Sequence, residues 1–264
     1  MGERDPRRRA ASFDGVADLY DRYRRPYPAA VVAHLAASAG LTAGSRVLEI
    51  GCGTGQFSVP LAERGVYLLA VEMGGALARI ARQRLARFPD AQVEVAAFEA
   101  WTLPGRPFDA VVCANAFHWL NPAIRVGKSL EALRAGGTLA VVHPHHVVGG
   151  SPGFFADTNK IYIKWGLSDD PDWAPATAAA VAPVYPEIER EAGVEKVARH
   201  RFEVAQRFTT ASYVGLLQTD SLILGLAPEA RQGFLDDIAQ LVASRYGGEV
   251  WRNFVYEVVA ARKA

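Results

Sequence analysis

The sequence predicts an α/β protein built on a doubly wound, mostly parallel sheet, and two stretches carry that prediction. Residues 46–65, RVLEIGCGTGQFSVPLAERG, run from an apolar β-type segment through glycines at 51, 53 and 55 into a helix stopped by Gly65. Residues 66–72, VYLLAVE, are apolar almost without interruption, the pattern of a strand covered on both faces. A strand passing through a glycine turn into a helix is the nucleotide-binding arrangement of such sheets. Glycine reaches positive φ there and lets a ligand approach the backbone. The loop reads G-x-G-x-G, with Gln56 where the dinucleotide pattern G-x-G-x-x-G would continue differently. Glu72, seventeen residues past Gly55, ends the second strand. A carboxylate in that place accepts hydrogen bonds from ribose hydroxyls of any adenosine ligand, NAD included.

At 264 residues, half of them hydrophobic, the chain is long enough for a sizeable core. Lys plus Arg number 29 against 28 Asp plus Glu, a net charge of +1 that argues against nucleic acid as a partner. Cys52 and Cys113, the only cysteines, both fall in or beside expected buried strands and make neither a disulfide framework nor a zinc site. No apolar run reaches membrane-span length and GERDPRRR is not a signal peptide, so no membrane partner and a cytoplasmic location are expected.

Residues 1–11 are expected to be a disordered tail with Arg7, Arg8 and Arg9 solvated. Helical spacing follows at Phe13, Val16 and Tyr20, broken by Pro26 and Pro28, and a second helix runs over 29–39 to Gly40. After Glu72, Met73 stands where an adenine would lie. The helix GGALARIARQRLARF then sets apolar Leu77, Ile80, Ala81, Leu85 and Phe88 against a solvated face of Arg79, Arg82, Arg84 and Arg87. Residues 92–101 alternate into a third strand. Residues 108–114 form a fourth, leading to Asn115, His118 and Trp119 at its carboxyl end, the side on which open α/β sheets bind ligands. A helix, a Gly136-Gly137 turn and a fifth strand end in His143, His145 and His146, which have no nearby Cys, Asp or Glu in sequence to complete a metal set; no metal is expected. Residues 149–175 are rich in Gly, Pro, Asp and aromatics and are expected to be a loop-like lid. A helix over 184–191, a strand over 197–205, helices over 209–219, near 222 and over 228–247, and a last strand over 251–263 complete the chain.

Several of these stretches resemble the motifs of class I S-adenosylmethionine (SAM) methyltransferases acting on small molecules. They are E-x-G-x-G-x-G at Glu49, Gly51, Gly53 and Gly55; F-E-x-W at 98–101; A-F-H-W at 116–119; L-R-x-G-G-x-L at 133–139; and a leader similar to Y-D…R-P-x-Y-P around Tyr20, Arg24, Arg25 and Tyr27. Ala97 stands where other members often carry an aspartate, leaving backbone groups at Ala97 and Phe98, or Glu99, to meet the adenine. The resemblance implies a seven-stranded sheet of order 3-2-1-4-5-7-6 with strand 7 antiparallel, and a helical cap. It divides the chain into a cofactor-covering leader (1–40), a SAM-binding core (41–148), a cap with strand 6 (149–227) and a closing helix and strand (228–264). SAM would meet Tyr20, Arg24 or Arg25, Tyr27, Glu49, Gly51, Gly53, Gly55, Glu72, Met73, Ala97, Phe98 and Asn115.

The implied activity is methyl transfer from SAM to a small hydrophobic or aromatic metabolite by in-line displacement. Trp119, Phe154, Phe155 and Trp165 are expected at the acceptor. His118, His143 and His145 are the candidate bases, should the acceptor atom carry a high-pKa proton. A monomer or homodimer is expected. The alternatives are a SAM-binding protein with redirected chemistry or a binding role, and a nicotinamide-dependent oxidoreductase.

Overall fold

A computed structural model describes residues 6–264. Seven strands, β1 (Arg46–Ile50), β2 (Tyr67–Glu72), β3 (Ala91–Val95), β4 (Phe108–Ala114), β5 (Leu133–Val147), β6 (Val194–Thr209) and β7 (Glu249–Lys263), form one sheet. Its order is β3-β2-β1-β4-β5-β7-β6. Pairs among β1 to β5 are parallel, and β7 runs antiparallel to both neighbours. The helices are α1 (Pro6–Ala11), α2 (Ala17–Tyr23), α3 (Ala29–Ser38), α4 (Ser58–Ala62), α5 (Gly75–Leu85), α6 (Arg125–Ala132), α7 (Phe154–Lys164), α8 (Thr210–Leu217), α9 (Ser221–Leu224) and α10 (Pro228–Arg245).

Two hydrophobic layers sandwich the sheet, as the near-continuous apolarity of β1, β2 and β4 requires. On one face Val31, Leu35, Phe57 and Leu61 of the α3–α4 region join Phe154, Tyr213, Phe234 and Ile238 from α7, α8 and α10. On the other, Phe98, Phe117, Val126, Leu130, Tyr185 and Ile188 cover Leu48, Val111 and Val141. Side-chain alternation along β5 therefore sends His143 and His145 to one face and His146 to the other.

Several expectations need correction. Residues 6–11, expected in the tail, form α1; residues 1–5 lie outside the described residues. Arg9 is half-buried, donating to Ser221 Oγ and lying 5.3 Å over Trp119, and the side chains of Arg7 and Arg8 lie outside the described residues. The third strand stops at Val95, and the expected helix at 184–191 is a 3-10 turn over Pro186–Arg190. The arginine face of α5 is used: Arg84 pairs with Asp21 of α2 at 2.8 Å, and Arg82 donates to the Val93 carbonyl. Residues 149–175 are not one long loop, because α7 lies within them and packs on α10.

The tips of β1 and β4 approach closely. A Cβ on Gly51, whose φ is +69°, would lie 2.5 Å from Ala116 Cβ, so only glycine fits both the space and the backbone. Gly51→Ala is expected to lower stability by about 1–3 kcal/mol, the scale of a strained backbone position or a crowded core. The check is the urea unfolding midpoint, which a wild-type value would contradict.

Candidate cofactor and acceptor cleft

The carboxyl ends of β1, β2, β4 and β5 and the leader meet at one place. Glu72, at the tip of β2, is buried. Its Oε2 accepts the Gly53 N–H at 2.9 Å and its Oε1 accepts the Gly74 N–H at 2.8 Å, so one carboxylate joins the glycine loop to the start of α5. Burial raises its pKa, and those amides oppose the shift. Met73, between Glu72 and Gly74 in the chain, is 40% exposed, and Val95 at the tip of β3 is 49% exposed. Both are large apolar groups left in the open. Glu49 lies deeper in β1. Burial pushes its carboxyl up to about 7, and its Oε2 has no hydrogen-bond partner.

The leader closes over this end. Asp14 Oδ1 accepts the N–H groups of Ala76 (2.7 Å) and Leu77 (3.1 Å), capping α5 from a distant part of the chain, where the helix dipole favours a negative charge. Phe13 meets Tyr20 and Trp119 edge to face, and a Cβ on Gly53 would touch the Tyr20 ring at 3.4 Å. Tyr27 packs edge-on to Phe57 and Tyr256. Of the two leader arginines, Arg24 stacks over Tyr20 and donates to the Thr219 hydroxyl and carbonyl. Arg25 turns away to the Arg207 carbonyl and the Phe208 ring.

Beyond β4 lies a row of histidines. Asn115 takes φ +53°, in the left-handed region that asparagine tolerates better than most residues, and donates to the Val142 carbonyl at 2.8 Å. His118 sits in the following 3-10 turn (Phe117–Trp119), which Arg125 pins by donating to the Phe117 carbonyl. The His118 and His143 rings are 5.4 Å apart, and those of His143 and His145 are 4.8 Å apart. The Tyr185 hydroxyl lies 2.9 Å from His143 Nδ1. Burial, reinforced by Arg125, brings His118 down to about 4. Burial brings His143 to about 3, and burial with Arg252 brings His146 to about 3. Each is a neutral imidazole at pH 7.

Sequence reasoning missed Asp14, Tyr185, Arg252 and Glu257. A carboxylate does reach the histidines: Glu257 Oε2 is 3.5 Å from His145 Nε2, across a β5–β7 pairing that sequence order does not reveal. Arg199 and Arg201 already hold that acid. Tyr185 has φ +55° immediately before a proline, where the extended region is the usual choice; the Tyr-Pro pair was its only trace in the sequence.

Two other expected positions need correction. Phe154 is 1% exposed and packs on Tyr213 and Tyr246 in the core. Trp165 wedges against Gly233 and donates to Asp237, joining α7 to α10. The Phe98 side chain is buried in the opposite-face core. Phe155 and Trp119 remain half-buried. A groove of about 560 Å³ between residues 101–103 and α6, and one of about 410 Å³ between α5 and β3, contain none of the expected site residues.

The sheet order with an antiparallel seventh strand, and a glycine turn meeting an acid at the tip of β2, are those of the class I SAM-dependent methyltransferase fold. Residues 47–137 match the family model described as "Methyltransferase domain". The chain is 25% identical to an uncharacterised methyltransferase of Mycobacterium tuberculosis over 238 residues, 88% of this chain and 86% of that one. It is 29% identical to the demethylmenaquinone methyltransferase of Thermobifida fusca over 189 residues, covering 64% and 77%. The structure of Haemonchus contortus phosphoethanolamine N-methyltransferase 2 with S-adenosylmethionine matches with a TM-score of 0.52 at 15% identity. It covers 95% of this chain, which spans 57% of that protein, and shows the shared fold. Among the described residues, no helix is long and apolar enough to cross a membrane.

The buried neutral histidines have a measurable consequence. In the unfolded chain they take up protons below pH 6.5, while His118 and His143 in the fold resist protonation until about 4 and about 3. Their contribution to stability is thus present above pH 6.5 and falls as the pH drops from 6.5 towards 4. At pH 5 each is expected to cost roughly 1–2 kcal/mol relative to pH 7.5. Urea midpoints at the two pH values check this: His143→Gln should narrow the gap, and an unchanged gap would contradict the assignment.

Proposed function

We propose that the chain holds SAM between the glycine loop, Glu72 and the leader, and passes its methyl group to a small, largely apolar or aromatic acceptor lying against Trp119, Phe155 and the histidine row. The observation that carries this is Glu72. Its carboxylate fixes the loop and the start of α5 while each oxygen keeps a lone pair for a ribose hydroxyl. Met73 and Val95 offer the exposed apolar surface that an adenine covers, with backbone groups at Ala97 and Phe98 at its edge. The orphaned Glu49 oxygen suits a cationic amino group at the methionine end, and Gly51 and Gly53 leave the space a side chain would fill. Arg24 is the leader arginine facing the cleft, suited to the methionine carboxylate, with Tyr20 and Tyr27 beside it. Asn115 presents its backbone between the ends of β1 and β5.

When bound, SAM supplies an electrophilic methyl carbon: an acceptor lone pair bonds to it as the carbon–sulfur bond breaks, and S-adenosylhomocysteine leaves with that electron pair. The protein's share is alignment and water exclusion, and positioning alone can supply roughly 7–11 kcal/mol. Phe13, Tyr20 and Trp119 form the lid that excludes water. With pKa values near 4 and 3, His118 and His143 are weak bases. They serve better as neutral partners that orient an acceptor, with His145 at the edge tied to Glu257. A relative named for demethylmenaquinone, an apolar quinone, supports an acceptor of this character.

Calorimetry is expected to show binding of S-adenosylhomocysteine and none of NAD. Glu72→Ala should weaken it by roughly 1.5–3 kcal/mol, the scale of hydrogen bonds to a charged group. Unchanged affinity would move the ribose elsewhere, and binding of NAD alone would remove the reading.

A further inference from the structure

On the opposite sheet face from the histidine row, β7 carries a buried cation without a counter-ion among the described residues. Arg252 is 8% exposed. Its Nη1 donates to the Tyr213 hydroxyl at 2.6 Å and its Nη2 to His146 Nδ1 at 3.0 Å, while its Nε is buried with no partner. A guanidinium has five N–H donors, so most of its capacity remains. The Phe155 ring lies 4.4 Å from its centre, and those of Tyr213 and Phe154 at 5.6 and 5.9 Å complete an aromatic wall. No carboxylate of the described residues pairs with it within 4 Å. Asp220, whose field reaches Tyr213, is occupied capping α9 through the Leu222 N–H.

Three of the other buried charged residues are compensated differently, while Glu49 and Glu72 carry no ion pair among the described residues. Arg125 is paired with Glu187, Glu257 with Arg199 and Arg201, and Asp157 with Lys160 and Arg245. An unpaired buried charge is costly, and replacing such a charge by apolar packing is often neutral or stabilising, so fold stability alone gives no account of Arg252. Its setting connects to the cleft. His146 lies at the end of β5 within the field of both Arg252 and Arg24, and Arg24 stacks on the Tyr20 that covers the glycine loop. Among the described residues, Arg24 and Arg9, like Arg252, make side-chain hydrogen bonds only to neutral groups. These three arginines thus supply cationic groups that no carboxylate of the described residues pairs with.

We propose that Arg252, with the Phe155 ring beside it, is the recognition site for an oxyanion on the acceptor, so that the substrate class is small apolar or aromatic acids, bearing a carboxylate or a phosphate monoester. This rests on the cleft assigned above. A planar guanidinium fork matches either group through paired hydrogen bonds, and the adjoining aromatic wall takes the apolar body. The neutral His146 and Tyr213 hold the fork without cancelling its charge.

The test uses the full-length protein saturated with S-adenosylhomocysteine, titrated calorimetrically with phenylacetate, phenyl phosphate and neutral phenylacetamide. At least one acid is expected to bind at least tenfold tighter than the amide, and whichever of the two binds tighter tells carboxylate from phosphate. Arg252→Met should keep S-adenosylhomocysteine affinity within twofold, keep or raise the thermal midpoint, and lose the preference for acid. Amide binding equal to acid, no binding of either acid at millimolar concentration, or an Arg252→Met protein that still prefers acid would each overturn the proposal. Should that variant fail to fold, Arg252→Lys, which keeps the charge and loses the fork, is expected to bind the acid at least fivefold more weakly; wild-type affinity there would overturn it too. Loss of S-adenosylhomocysteine binding by the wild-type protein would instead strike the cofactor reading.

Discussion

A single buried carboxylate, that of Glu72, sets the geometry on which the cleft depends. It sits at the tip of β2 and accepts one amide from the glycine loop and one from the turn into α5. Without it the two turns would present bare N–H groups to each other at the mouth of the sheet. Buried amides need partners, and charge-assisted hydrogen bonds are the stronger kind, so loop and helix start are fixed before any ligand arrives. Gly51 contributes from the other side by letting the tips of β1 and β4 come within side-chain distance. The leader is built on that frame: Asp14 caps the helix whose first turn Glu72 positions.

Charge is partitioned within the cleft. Glu49 and Glu72 occupy the ends of β1 and β2, and Asp14 stands above them. Arg9, Arg24 and Arg252 belong to the leader and β7, with the histidines between them neutral by burial. Were those histidines charged, they would add to the arginine field and raise the cost of burying it. Their low pKa values follow from the same desolvation that strengthens each remaining charge.

Much of the fold was legible in the sequence because its signals are local. The glycine spacing, the continuous apolarity of β2 and the acid at its end all lie within 46–72, and no distant contact alters their meaning. The two misplaced aromatics show the opposite case. Phe154 and Trp165 sit in a segment of mixed composition, and whether an aromatic there faces a ligand or a core depends on α10, more than sixty residues later. Tyr213 and Gly233 supply the surfaces that bury them. Arg252 was hidden for a related reason: in WRNFVYEVV it reads as the polar position of an alternating strand. Only α7 and α8, packed over that face of β7, turn a surface arginine into a buried one.

Backbone strain is concentrated beside the histidines. Among the described residues, the two non-glycine positions with positive φ are Asn115 and Tyr185, one ending β4 and the other preceding a proline. Each conformation costs on the order of 1–3 kcal/mol and persists only where its surroundings determine it. Asn115 is held by its bond to the Val142 carbonyl. Tyr185 is held by the Phe117 ring, 5.0 Å away and edge-on, and by the Arg125 guanidinium over its face. Arg125 also fixes the carbonyl of Phe117, the residue before His118, so the same cation positions both flanks of the row. Relaxing either residue to an extended backbone would turn the His118 turn or the Tyr185 hydroxyl away from His143. The strain is therefore borne where it orients the imidazoles, and the packed face beneath β4 and β5 supplies the rigidity that sustains it.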